Sequence, residues 1–104
     1  MSEKTVILPD HEEMFRRLLG VSDDAYMQER FYPILLKKAG RQLVAPGVVM
    51  LLTLAIHDFV DGMPPGMANA MFAQAPDFID ALVTDAEVAE QAKTFLREAL
   101  SAKK

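Results

Sequence analysis

Between Leu43 and Ile56 the chain runs LVAPGVVMLLTLAI, 14 residues without a charge, and then stops at His57-Asp58. From Val48 to Ile56, Thr53 is the only polar side chain. Wound as a helix, such a segment is apolar nearly all the way round, and a helix of that kind is enclosed rather than laid on a surface. It falls short of the roughly 20 residues that span a bilayer. It also contains Pro46-Gly47 and ends in an acid, so it reads as a buried core helix. A chain of 104 residues is the size of one domain and has few other elements with which to surround that helix. Apolar surface that the bundle leaves uncovered then lies against a second copy or another protein.

The rest of the chain is punctuated as helices. Residues 1–9 read as an extended arm, because Thr5-Val6-Ile7 favours extended backbone and Pro9 restricts Leu8. One short strand makes a sheet only by pairing with another chain. Asp10 reads as an N-cap with Glu13 completing a capping box, followed by the pairs Met14/Leu18 and Phe15/Leu19 and a stop at Gly20. A second helix opens at Ser22, has Asp23 and Asp24 at its positive end, and buries Met27, Phe31, Ile34 and Leu35. Pro33 falls inside it and should kink or split it near Tyr32 before Gly40 closes it. The third helix spans about 46–61, with Pro46 in its first turn and Gly62 after its end.

Pro64-Pro65-Gly66 reads as a turn, followed by a short helix over Met67–Ala73 and another from Pro76 that carries Phe78, Ile79 and Leu82 inward. The last helix has Thr84 as N-cap and Glu87 completing its box, then Val88, Ala92, Phe95, Leu96 and Ala99 at helical spacing and Lys103-Lys104 at its end. The expected fold is all-α, a bundle of five to six helices around the apolar helix at 46–61. Helices one, two and the last surround it, and the two short ones form a lid or base. An arm at 1–9 precedes a single helical domain at 10–102.

Composition narrows the function classes. With no cysteine, disulfide scaffolds, thiolate zinc sites and cysteine nucleophiles are excluded, and a reducing cytoplasm is the expected setting. Net charge is −4, so no positive field dominates to neutralise phosphates and nucleic acid is not an expected partner. Arg16-Arg17 and Lys37-Lys38 with Arg41 lie near helix C-termini, where cations offset the dipole. Val6-Ile7-Leu8 is too short for a signal-peptide core, and neither it nor the central run makes a membrane a partner.

Four features could carry chemistry. In the first, an apolar helix followed by His57-Asp58 resembles the central motif of the HD phosphohydrolase superfamily. That resemblance implies a divalent metal bound by the adjacent pair, an earlier His, here His11, and a later Asp among Asp77, Asp80 and Asp85. On the helix His57 and Asp61 face the same way. Phe59-Val60-Asp61-Gly62 replaces the small residue and lysine usual after the pair. Without a metal, Asp58 and Asp61 need partners such as Arg30 or Arg41, because a helix C-terminus is unfavourable for acids.

The second feature is Met63, Met67 and Met71, spaced by four. They read as core filler, as an adaptable surface for a partner helix, or as thioether ligands for copper(I). The third is Tyr26 to Tyr32, where Tyr26, Arg30 and Tyr32 are residue types enriched at contact hot spots. The fourth, Asp77, Asp80, Asp85, Glu87 and Glu90, reads as helix-start chemistry. Glycine-rich phosphate loops, a di-iron Glu-x-x-His pair and a nucleophile elbow are absent from the sequence. The expectation is therefore a non-enzymatic interaction module without a cofactor, forming a homodimer or binding a protein partner through Tyr26, Arg30, Tyr32, Met63, Met67 and Met71. The alternatives are an HD-type metal hydrolase using His57, Asp58 and Asp61, and a small-ligand pocket lined by methionines between the second, third and fourth helices.

Overall fold

Aspartate, proline and glycine set the ends of the elements. In the computed structural model, which describes residues 5–40 and 42–102, five helices and one minimal strand pair follow in order. They are β1 (Val6–Ile7), α1 (His11–Val21), a π-helical turn (Met27–Phe31) that runs into α2 (Tyr32–Lys38), β2 (Gln42–Leu43), α3 (Ala45–Val60), α4 (Pro65–Leu82) and α5 (Ala86–Ala102). The fold is all-α. Residues 1–4, Arg41 and Lys103-Lys104 lie outside the described residues, so the outer arm, Arg41 as an acid's partner and the terminal lysines are not placed.

Asp10 caps α1 as expected, accepting the Glu13 N–H at 2.9 Å. The Glu13 carboxylate turns to Arg16 and Arg17 at 2.8 and 3.0 Å. Elsewhere the capping residue is the aspartate one or two places beyond the expected hydroxyl. Asp24, not Ser22, accepts the N–H groups of Tyr26 and Met27, and Asp85, not Thr84, accepts those of Glu87 and Val88. Ser22 instead ends α1, which runs one residue past Gly20.

Pro33 has no N–H to donate to Glu29, and its ring crowds that carbonyl. The chain widens there, the Tyr32 N–H bonding back five residues to Met27 before α2 resumes ordinary winding. Gly62 supplies the left-handed residue after α3, at φ +82°, in space where an added methyl would touch nothing. Its cost to any other residue is conformational alone. Gly62→Ala should therefore lose about 1–2 kcal/mol of stability by denaturant titration, with no change in helix content.

Three expectations are corrected. The two short helices are one, α4, with Pro76 inside it. An internal proline costs roughly 3 kcal/mol. However, Met71, Ala75, Phe78, Ile79 and Leu82 form one buried stripe across the break, and the large members contribute roughly 1.5–3 kcal/mol each. Burial wins. The arm pairs within its own chain, Val6 opposite Leu43 and Ile7 opposite Gln42, antiparallel. Val6 and Leu8 join the core, while Ile7 is 70% exposed.

The third correction concerns α3. It packs on α2, α4 and α5, whereas α1 packs chiefly on α4 and α2. The Cα envelope measures 41 × 36 × 19 Å. A thickness of 19 Å accommodates two layers of helices at 8–10 Å axis spacing, and two layers leave an enclosed helix one outward face. Ala45, Val48, Val49, Leu51, Leu52, Ala55, Ile56 and Phe59 are buried, but α3 is not sheathed all round.

The centre is aromatic. Phe31 lies 5.3 Å from both Phe59 and Phe78, ring centre to ring centre, and 5.9 Å from Tyr32. It thereby ties the π-turn to α3 and α4.

Candidate functional site

The expected contact residues divide. Tyr32 is fully buried, its ring edge-on to Phe15 and Phe78 and its hydroxyl 2.7 and 2.9 Å from the carbonyl oxygens of Ser22 and Leu18, donating its one proton to the nearer, Ser22. Met71 is also in the core. Neither can touch a partner from there, because each lies on the inward stripe of its helix. Met63 is half-buried against the core in the turn after α3, and Met67 is exposed in the first turn of α4. Tyr26 and Arg30 share the outer face of the π-turn, with the guanidinium 5.8 Å from the Tyr26 ring centre and that ring edge-on to Phe59 at 5.7 Å.

His57, Asp58 and Asp61 do not converge. His57 is exposed, its ring edge-on to Phe72 at 6.0 Å. Asp58 pairs with Lys38 of α2 at 2.7 Å. Asp61 is exposed beyond the helix end. Among the described residues no three His, Asp or Glu side chains come together to hold a metal ion. Of the acids of α4 and α5, Asp80 meets Lys93 at 2.8 Å and ties the two helices, and this bond holds the Lys93 ammonium above the ordinary lysine range. A surface depression of about 480 Å³ lies among Arg17, Gly20, Val21, Asp77, Asp80 and Ala81. Its Arg17 and Asp80 are already paired, with Glu13 and Lys93.

The unexpected feature is on α3 itself. Met50 and Leu54, one turn apart, are 58% and 48% exposed. Beside them runs an apolar groove of about 180 Å³, lined by Pro46, Val49, Met50 and Thr53 of α3, Phe72 of α4, and Leu96, Ala99 and Leu100 of α5. Phe95, placed inward by its spacing, is 40% exposed on the stripe of Ala99. In place of a methionine-lined pocket between the second, third and fourth helices, the groove lies between α3, α4 and α5 and holds one methionine.

A signal for this face exists in the sequence. His57 and Asp61 are polar, and stepping back from them by seven residues lands on Met50 and Leu54. The outward side of an apolar helix is marked by where its first polar residues point.

Fold and surface together define a small all-α protein with one uncovered apolar helix face, and no described helix is long and apolar enough to cross a membrane. No family model, curated protein or solved structure matches the chain.

Proposed function

We propose that this is a non-enzymatic all-α module that works by protein–protein contact and associates with itself as a homodimer in the cytoplasm. The observation that supports it most is the face of α3. The most apolar segment of the chain leaves Met50 and Leu54 in water, beside a groove with almost no polar lining. Both are already about half buried, so covering what remains contributes roughly 1–1.5 kcal/mol each. An apolar centre surrounded by polar residues is the arrangement of a contact patch. Here Thr53 and His57 on α3 furnish polar groups beside it. The cysteine-free composition suits the reducing compartment.

The other two readings have less support. The hydrolase needs a cluster of ligands that the described residues do not form. A ligand site needs roughly 300–1,000 Å³ and convergent polar groups, and the groove offers neither. Sedimentation equilibrium between about 1 and 100 μM, the range of ordinary transient association, should show mass rising toward twice the monomer's. A constant monomer mass would remove self-association, and failure to acquire any protein partner as well would remove the contact reading.

A further inference from the structure

The face of α3 combines a ridge and a slot. The ridge is Met50 and Leu54, and the slot beside it is bounded by Pro46, Val49 and Thr53 on one side and Leu96, Ala99 and Leu100 on the other. A two-fold contact requires each patch to complement itself, so that a feature on one copy fits a different feature of the same patch on the other. We infer that a second copy seats antiparallel on α3, about a two-fold axis passing between Met50 and Leu54. Each Leu54 enters the slot beside the partner's Met50.

Two observations favour a second copy over an unrelated helix. One is register. Pairing residue 54 with 50 brings both ridge residues into contact at once, each Leu54 over the slot that Pro46, Val49 and Thr53 bound. The other is charge. The same register sets the C-terminal end of α3, where Asp61 is exposed and Asp58 is held by Lys38, opposite Pro46 and Gly47 of the other copy. Those residues form the first turn of α3, whose N-cap is Val44 and which receives no side-chain hydrogen bond. Acidic groups are favoured at an uncapped helix N-terminus. The antiparallel arrangement supplies them twice, once at each end, and a parallel one would not.

This rests on the contact-module reading and specifies its surface. Because the chain has no cysteine, the register can be tested without background. Chains carrying Met50→Cys and Leu54→Cys are prepared separately and mixed under mild oxidation. They should form the mixed disulfide faster than either forms its own, since only the 50–54 pair lies face to face. Chains carrying Ile7→Cys, exposed on the arm, should not cross-link. In parallel, Leu54→Glu should weaken dimerisation by about 100-fold or more, because it places an unpaired charge in each half of the contact. Its circular dichroism and melting should stay close to wild type, as expected for a half-exposed position. Ile7→Glu should leave association unchanged. A wild-type dimer that Leu54→Glu does not weaken would overturn this axis while leaving the contact-module reading intact. A wild-type monomer throughout the range would overturn both the axis and self-association.

Discussion

Replacing Phe31 with alanine should lower the melting temperature by at least about 15 °C or leave the chain unfolded at room temperature. Phe31 is fully buried and touches the rings of Tyr32, Phe59 and Phe78, so it joins the π-turn, α3 and α4 at one point. Truncating a buried phenylalanine costs about 3–5 kcal/mol when its neighbours cannot close the gap. Three rings held by three separate elements cannot collapse inward together. A domain of this size has roughly 5–15 kcal/mol in all, so one side chain commands a large share. Phe95→Ala is the control. Phe95 is partly exposed, and its loss should stay within about 1 kcal/mol. Equal losses for the two in denaturant titration would show that the ring cluster does not hold the elements together.

Tyr32→Phe should cost about 1–3 kcal/mol at neutral pH and also change how stability responds to alkali. The hydroxyl is the donor for the Ser22 carbonyl oxygen, whereas the Leu18 oxygen already receives the Ser22 N–H at 3.0 Å. Removing it leaves Ser22 short of a partner at the junction of α1 and the π-turn.

Burial pushes the phenol above the ordinary tyrosine value, and the nearby charges of Asp23 and Asp24 add to the rise, against the hydrogen bond to Ser22 that lowers it. A group whose folded value is raised contributes stability that is fully present below its unfolded value, near 10 for tyrosine. That contribution is lost as pH rises through the folded value. Between the two, the unfolded chain has released a proton that the native state still holds, so unfolding becomes more favourable with each step in pH. Wild type should therefore lose stability from about pH 10 upward, and Tyr32→Phe should lose less over the same interval. Parallel alkaline profiles for the two proteins would contradict this account of Tyr32.

Tyr32 also shows where the sequence was legible and where it was not. Its neighbours Met27, Phe31 and Leu35 mark the buried stripe by spacing alone, and all three are in the core. A tyrosine, however, has both an apolar body and a polar tip. Whether it faces a partner or the interior depends on a carbonyl ten residues away, which local pattern does not contain. The helix boundaries were readable to within a few residues because glycine, proline and aspartate act locally. The choice of Asp24 over Ser22, and of Asp85 over Thr84, turned on which of two nearby capping residues faces the helix.

Pro76 misled for a different reason. The rule that proline ends a helix is local, and the stripe that overrides it is tertiary. The same is true of α3. Uniform apolarity says that a helix wants cover and carries no period to say which side lacks it. Only the polar residues at and just past its end, His57 and Asp61, point to the open face. The candidate site was thus half legible. Tyr26, Arg30 and Met67 are at the surface, and Met50 and Leu54 were hidden inside a run that looked wholly buried.

Methyl resonances offer the most direct check that this open face is where copies meet. The chain has seven methionines, and Met50 is exposed on α3 while Met14 and Met27 are buried. On dilution from about 500 to 5 μM, a range that spans ordinary dimer affinities, the Met50 methyl signal should shift with the monomer–dimer equilibrium. Those of Met14 and Met27 should stay in place. A Met50 signal that does not move while sedimentation reports a dimer, or one that does not move because the chain stays monomeric, would contradict the claim that α3 carries the contact.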